Sequence, residues 1–158
     1  MELMEIIIRL GIAVVLGAAI GFDREINSHP AGLRTHMLTA LAASMFTLIA
    51  LEFYDRARRD YGTGVPDPIR AIEAVTAGVA FLAAGSIIQS HGQVRGLTTG
   101  AAMWLAGAVG VACGAGYFMM AVVATVFAVA ILTIVTGLEH LLRTRTPDDR
   151  TQTPADDT

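Results

Sequence analysis

The sequence predicts an all-α, polytopic membrane protein with five transmembrane helices, arranged as two parallel-repeat hairpins plus a fifth helix. Composition is the first observation behind this prediction. Of the 158 residues, 54% are hydrophobic and the mean hydropathy is +0.58, which is too apolar for a soluble domain of this length. The charged residues, moreover, fall in short islands between long apolar stretches, and part of the sequence is repeated.

Five apolar stretches are each close to the roughly 20 residues that a helix needs to cross a bilayer. They are Leu3–Phe22, Arg34–Leu51, Ile69–Ile88, Leu97–Cys113 and Tyr117–Leu138. Residues 1–142 therefore form one predicted transmembrane domain, and the polar residues 143–158 are expected to be a disordered tail. Asp67 followed by Pro68 is a typical start for the third helix. Arg9 lies near the beginning of the first span, where its side chain can extend to the surface.

The repeat predicts that two of these helix pairs have the same fold. Ala31-Gly32-Leu33-Arg34-Thr35 returns 64 positions later as Arg95-Gly96-Leu97-Thr98-Thr99. Residues 13–42 and 77–106 agree at nine positions when they are aligned without gaps. Because a repeated sequence indicates a repeated structural unit, each copy is predicted to be a helical hairpin with this phrase at its bend.

The alternation of spans assigns each loop to one of two sides of the membrane. Side A holds the loops 23–36 and 89–96 and the C-terminus, whereas side B holds the N-terminus, the loop 52–68 and the turn 114–116. Side A carries six Arg and side B five. The positive-inside rule therefore favours side A as the cytoplasmic side by a narrow margin.

Small residues recur four positions apart on the predicted helices, a spacing that lets helix backbones approach closely in a membrane. The fourth helix carries them around much of its circumference and is predicted to be central, whereas the fifth is predicted to face lipid. Such faces serve both packing within one chain and docking of a second protein, and the sequence leaves both open. The predicted packing glycines are Gly17, Gly21, Gly85, Gly96, Gly100, Gly110 and Gly114.

Polar residues gather at the two bends on side A. Both Gly-Leu-x-Thr copies begin a helix, whose free N–H groups and dipole attract anions, and Arg34 and Arg95 are expected within reach of the carboxylates of Asp23 and Glu25 or of an anionic ligand. The cluster is interpreted either as ion pairs that hold the bends or as a ligand-binding site. Its predicted members are Asp23, Arg24, Glu25, Arg34, Thr35, His36, Gln89, His91, Arg95, Thr98 and Thr99, with Arg70 and Glu73 as a further pair on the third helix.

Several classes of function find no support in the sequence. A net charge of −3 does not favour nucleic-acid binding, and the absence of Lys excludes a Schiff-base or P-loop lysine. Cys113 is the only cysteine, so no internal disulfide forms. Asp23 and Glu25 are two positions apart and do not face each other on a helix, and the His residues lack transition-metal spacing. Neither a cofactor nor a metal site is assigned, and no enzyme is predicted.

Several motifs together resemble those of the MgtC/SapB family of bacterial inner-membrane proteins. Asp23 replaces the usual Glu of the first motif, Ala83 stands where Gly is common, and Gly100 where Ala is common. The matching segments are Gly21-Phe22-Asp23-Arg24-Glu25, Ala31-Gly32-Leu33-Arg34-Thr35-His36, Pro68-x-Arg70, Phe81-Leu82-x-Ala84-Gly85-Ser86-Ile87, and Arg95-Gly96-Leu97-Thr98-Thr99 followed by Ala102 and Trp104.

The resemblance implies a multi-pass inner-membrane protein with a cytoplasmic C-terminus, linked to growth at low Mg²⁺ and to intracellular survival in virulence. Family members associated with virulence carry a soluble C-terminal domain, so this sequence is interpreted as the transmembrane domain alone. The family's best-described action is regulation of the F-type ATP synthase.

Two hypotheses of function follow. The first is a non-enzymatic regulator that lies in the lipid bilayer and docks on another membrane protein, the ATP synthase being the candidate partner and a homo-oligomer a further possibility. The alternative is a small transporter or channel for Mg²⁺ or another ion, since transporters are often built from duplicated units. Ion flux separates the two.

Overall fold

The computed structural model describes residues 1–62, 67–90 and 93–143 and confirms the all-α, polytopic membrane class. Five helices form a bundle, with one short antiparallel pair of strands between the third and the fourth. The elements are α1 (Leu3–Ile26), α2 (Leu33–Tyr61), α3 (Ile69–Gly85), β1 (Ile88–Ser90), β2 (Gln93–Arg95), α4 (Leu97–Gly114) and α5 (Phe118–Arg143).

Four of the five described helices, α1, α2, α4 and α5, are long and apolar enough to cross a membrane. α3 has 17 residues, about 26 Å at 1.5 Å per residue, which is the lower end of the range for a span. The prediction that this helix runs to Ile88 is wrong, because it ends at Gly85 and Ile88 pairs with Arg95 in the strand hairpin. The helix begins one residue later than the predicted start at Asp67 and Pro68 implies, with Pro68 as its N-cap, and the carboxylate of Asp67 accepts a hydrogen bond of 2.9 Å from the N–H of Ile69.

α1 and α2 are antiparallel and pack at backbone distance. A Cβ added at Gly17 would lie 2.7 Å from the carbonyl oxygen of His36, and one added at Gly21 would lie 2.8 Å from the Cα of Leu33. Real Cβ atoms do not approach so closely, so both positions require glycine for this packing. The first predicted hairpin is therefore closed by Gly17 and Gly21, with its bend on side A.

α2 and α4 are parallel, as the repeat requires. Gly110 faces the backbone of Ala40, and Gly114, four residues later, faces the carbonyl oxygen of Ser44, also four residues later. In both helices the residue number thus rises in the same direction. The two bends consequently lie at the same end of the bundle.

α3 runs antiparallel along α4 but packs less tightly. Gly107 faces the side chain of Val79, and Gly96 faces the carbonyl oxygen of Ser86. Gly96 has a φ of +89°, a left-handed conformation that glycine adopts without strain. Gly85 differs from the prediction, since nothing lies within 4 Å of the position that its Cβ would take. It contributes no close packing within the described chain.

On side B, polar contacts join the N-terminal part of α1 to α2 and to the end of α4. The terminal ammonium of Met1 lies 3.1 Å from Glu52 of α2. Arg9, which was expected to extend to the surface, is instead half-buried; it pairs with Glu5 and donates a hydrogen bond to the carbonyl of Gly114. α2 continues ten residues beyond its predicted end at Leu51, to residue 61.

α4 is the central helix and α5 an outer one, as predicted. α4 packs against each of the other four helices, and ten of its 18 residues are buried. α5 buries a narrow stripe that includes Ala121 and Thr125, while Val126 and Phe127 are exposed. The predicted tail lies outside the described residues except for Arg143.

Candidate functional site

Arg24 is carried into the bundle by the packing face of α1. Gly17, Gly21 and Arg24 follow one another at intervals of four and three residues, so they lie on one face of the helix. Because the two glycines bring α2 to backbone distance, the Arg24 side chain is enclosed and only 3% exposed. The buried charged group at the side A end of the bundle is therefore Arg24 of α1. Arg34 and Arg95 at the two helix starts are exposed.

The guanidinium of Arg24 joins the two hairpins. Its Nη2 donates a hydrogen bond of 2.7 Å to the hydroxyl of Thr99, which is 2% exposed and belongs to the first turn of α4. A guanidinium carries five N–H donors, and this is its one hydrogen bond with the described residues. The Nε of Arg24 is buried without a hydrogen-bond partner, and no ion pair with a described carboxylate is formed.

His36 lies beside this group and is completely buried. Its Nδ1 is 2.8 Å from the carbonyl oxygen of Gly32. A carbonyl only accepts hydrogen bonds, so Nδ1 carries a proton and donates it to this contact. Nε2 is buried and has no partner among the described residues. Arg24 is near enough for its charge to act on the imidazole.

Glu25 acts as a cap for α2. Its Oε2 accepts a hydrogen bond of 2.9 Å from the N–H of Leu33, the first residue of the helix, at a start where Gly32 offers no side chain. A carboxylate at a helix N-terminus is favoured by the helix dipole. The acidic residue that was expected to pair with an arginine is thus hydrogen-bonded to the backbone of the bend.

The bend itself closes through backbone hydrogen bonds. Ser28 takes a positive φ of 54°, and the N–H of His29 donates to the carbonyl of Arg24 at 3.0 Å. Partial burial, and secondly the positive charge of Arg24, lower the pKa of His29 below its ordinary value, while Asp23 acts in the opposite direction. The lowered pKa of His29 favours the neutral form of its imidazole.

The arginines at the two helix starts are not paired as expected. Arg34 and Arg95 are both exposed, and neither forms an ion pair with Asp23, Glu25 or any other described residue. Thr35 is half-buried and Thr98 exposed. His91 lies outside the described residues. The expectation of an ion-pair network across side A is therefore wrong for the described side chains.

Arg70 and Glu73 are remote from the cluster. They lie in the first turns of α3, which runs antiparallel to α4, so they are on side B while Thr99 is on side A. Both are exposed, and they form no ion pair with each other. These two residues are removed from the candidate site, which consists of Arg24, His36 and Thr99 with the cap at Glu25.

The residues in the described ranges do not form a metal centre. They contain no group of three or more His, Cys, Asp or Glu side chains that could hold a metal ion. Asp23 is half-buried, with its Oδ2 unpartnered and Oδ1 3.3 Å from Nδ2 of Asn27. The positive charge of Arg24 between Asp23 and Glu25 opposes binding of a cation.

A second feature is a lateral apolar groove between α2 and α3. It has a volume of about 540 Å³, and its walls include Phe46 and Phe53 of α2 and Gly78 and Leu82 of α3. Gly78 has nothing within 4 Å of its Cβ position, and the two phenylalanines are 54% and 67% exposed. The groove was not predicted from the sequence, whose small-residue pattern is most extensive on the fourth helix.

Comparison with known proteins finds one matching protein family and several similar proteins. The chain matches the MgtC family over residues 10–141. It is 38% identical over 130 residues to "Protein MgtC" of Brucella abortus, covering 82% of this chain and 51% of that protein. It is 34% identical over 145 residues to "Protein SapB" of Bacillus subtilis, covering 91% of this chain and 61% of that protein.

A third relative, "Putative magnesium transporter YhiD" of Escherichia coli, is 34% identical over 131 residues, which cover 82% of this chain and 60% of that protein. The chain thus spans about half to three-fifths of the length of these relatives. No solved structure matches. The family match covers most of the chain and includes both bends and all five helices, and the chain belongs to the MgtC family.

Proposed function

We propose that the chain is a non-enzymatic regulator that binds another membrane protein within the bilayer, during adaptation to Mg²⁺ limitation or related stress. The observation that carries this proposal is the lateral groove between α2 and α3. It is apolar, it opens on the outer surface of the bundle, and one wall contains Gly78, where a partner helix could approach at backbone distance. Small residues are the usual means of such an approach between membrane helices.

The groove replaces the docking face that the sequence suggested. Gly100, Gly110 and Gly114 of α4 face α3 or α2, and Gly96, immediately before α4, faces the backbone of Ser86. They are used in packing within the chain, which favours an intramolecular role for these glycines. Docking is therefore assigned to the groove, where substitution need not disturb the bundle.

The family resemblance supplies the candidate partner and the setting. MgtC/SapB resemblance implies a bacterial inner membrane, a cytoplasmic side A and regulation of the F-type ATP synthase. We take the membrane part of that enzyme as the partner to be tested. A second copy of the chain is the other occupant of the groove that the test distinguishes.

The proposal predicts that filling the groove abolishes regulation without unfolding the chain. In inverted membrane vesicles, ATP-driven proton pumping is measured with the wild-type chain and with Gly78→Leu. We expect the wild type to lower pumping and Gly78→Leu to leave it at the level of vesicles without the chain, because the leucine occupies the approach surface. Gly11→Leu is the matched control, since Gly11 is also an exposed helical glycine with nothing within 4 Å.

Equal pumping with the wild type and with Gly78→Leu would remove the ATP synthase from the proposal. Crosslinking of the two variants in the same vesicles then reports whether the groove binds a second copy of the chain. Loss of dimer with Gly78→Leu but not with Gly11→Leu would assign the groove to self-association. Absence of any dependence on Gly78 contradicts docking through the groove.

The transporter alternative is supported by the repeat and by the name of the Escherichia coli relative. Close packing of α1, α2 and α4 around glycines supports the regulator over a pore. The two are separated by Mg²⁺ uptake into vesicles that contain only the purified chain. Uptake above that of empty vesicles, and sensitive to Arg24→Met, would favour transport.

A further inference from the structure

We propose that Arg24 and the first turn of α4 bind a phosphate group, either the headgroup of an anionic phospholipid or a free phosphate ion. The site comprises Arg24, Thr99 and the backbone N–H groups that begin α4. It goes beyond the regulatory function proposed above and does not depend on the groove. Three features of the described residues carry it.

The first feature is a buried positive charge that forms no ion pair with a described carboxylate. Arg24 is 3% exposed, its one hydrogen bond with the described residues goes to the hydroxyl of Thr99, and its Nε is buried without a partner. Enclosing a charge in a low-dielectric environment is costly unless it is paired. Arginine presents several N–H donors in one plane, a geometry that matches phosphate oxygens.

The second feature is the start of α4, into which Arg24 points. α4 has 18 residues, and no side-chain hydrogen bond caps its N-terminus. The first backbone hydrogen bond of this turn runs from the N–H of Gly100 to the carbonyl of Gly96, at 2.8 Å. The N–H groups of Leu97–Thr99 precede it, and such free N–H groups together with the helix dipole bind anions.

The third feature is the positive charge near the proposed site and the exposure of the start of α4. Arg34 and Arg95 are exposed at the two helix starts and are free of ion pairs with the described residues. Two acidic residues flank Arg24 in the sequence. The carboxylate of Glu25 accepts a hydrogen bond from the N–H of Leu33, and the carboxylate of Asp23 reduces the positive charge around Arg24. Leu97 is 60% exposed and Thr98 is exposed, so the start of α4 reaches the surface of the bundle at side A.

The test measures the unfolding temperature of the full chain in two arms. One arm adds inorganic phosphate to the chain in neutral detergent, and the other compares nanodiscs of phosphatidylglycerol with nanodiscs of phosphatidylcholine. We expect the wild type to be stabilised in at least one arm. An effect in the nanodisc arm alone identifies a lipid headgroup, and one in the phosphate arm identifies a free ion.

Arg24→Met keeps the volume of the side chain but removes its charge and donors. We expect the apparent affinity for the stabilising phosphate species to fall by about tenfold to a hundredfold, as removal of a charged hydrogen-bonding group implies. Arg9→Met is the matched control. Arg9 also lies on α1 but is paired with Glu5 on side B, so its substitution should leave the response unchanged.

A second measurement does not depend on the folding of the Arg24 variant. In Thr98→Cys, an exposed position in the first turn of α4, the phosphate species should slow modification by a maleimide. The same reagent should modify Tyr117→Cys on side B at an unchanged rate. Absence of stabilisation in both arms, an undiminished response of Arg24→Met, or equal protection of both cysteines would overturn the proposal.

Discussion

At the scale of the residue, the environment of Arg24 follows from its place on a helix face. The sequence predicted a polar cluster on side A, and Arg24, His36 and Thr99 do meet there. It also predicted that Arg34 and Arg95 lie within reach of the carboxylates of Asp23 and Glu25 or of an anionic ligand, and both arginines are exposed. The spacing from Gly21 to Arg24 was a usable signal, because a residue three positions after a packing glycine shares its face.

Other contacts at this scale could not be read from the sequence. Glu25 caps the helix that begins eight positions later, a contact that depends on the path of the bend. Arg9 donates to the carbonyl of Gly114, which is remote in sequence and is brought near only by the packing of α1 against the α4–α5 turn. Both require the tertiary structure.

The residue-scale prediction concerns Thr99, the acceptor that Arg24 has among the described residues. Thr99→Val keeps the shape of the side chain but removes the hydroxyl that receives the hydrogen bond at 2.7 Å. We expect the free energy of unfolding to fall by about 1–3 kcal/mol, the cost of leaving a buried charged donor unsatisfied. Unfolding of the purified chain in detergent measures it.

Thr98→Val is the matched control, because Thr98 is the neighbouring residue and is exposed. It should change the stability by no more than about 0.5 kcal/mol. Equal effects of the two substitutions would show that the Arg24–Thr99 bond does not hold the hairpins together.

At the scale of the element, the two copies of the repeat have the same direction but different packing. The lengths of the apolar runs predicted all five helices, because a span requires a minimum length of apolar chain. The runs could not predict the strand hairpin, since Ile87 and Ile88 continue the apolar run of α3 beyond its end at Gly85. Nor could they predict the extension of α2 into its charged segment, where hydrophobicity is not needed to continue a helix.

The element-scale prediction uses two glycines that the repeat makes equivalent. Gly21→Leu places a Cβ 2.8 Å from the Cα of Leu33 and forces α1 and α2 apart. We expect a loss of about 1–3 kcal/mol or more in the free energy of unfolding, as in an overpacked core. The measurement is the same unfolding experiment in detergent.

Gly85→Leu tests the asymmetry of the repeat directly. Nothing lies within 4 Å of the Cβ position of Gly85, so the leucine should enter open space at little cost. If Gly85→Leu destabilises the chain as much as Gly21→Leu does, the second hairpin packs as tightly as the first and the described difference between them is wrong.

At the scale of the whole molecule, the polar cluster and the apolar groove lie in different parts of the bundle. α4 lies at the centre and uses its small residues for internal packing. A buried polar cluster lies on side A, where the two hairpins are joined by Arg24 and Thr99. The lateral groove between α2 and α3 remains as an apolar surface on the outside of the bundle. This arrangement depends on α3 crossing the membrane, since only then do both bends lie on one side.

Cysteine accessibility in intact cells measures that arrangement most directly. Single cysteines at exposed positions on side A (Ser28→Cys and Val94→Cys) and on side B (Tyr61→Cys and Tyr117→Cys) are treated with a membrane-impermeant maleimide. The native Cys113 is completely buried and should remain unmodified, which makes the wild-type chain the control. Permeabilised cells give the full extent of labelling at each position.

If both bends lie on side A and side A is cytoplasmic, we expect Ser28→Cys and Val94→Cys to be protected together in intact cells. Tyr61→Cys and Tyr117→Cys should both be modified. The short α3 is then a true span, and the two bends face the same compartment. The opposite result is that Val94→Cys is modified together with Tyr61→Cys while Ser28→Cys stays protected. In that case α3 does not cross the bilayer, and the two bends do not lie on the same side.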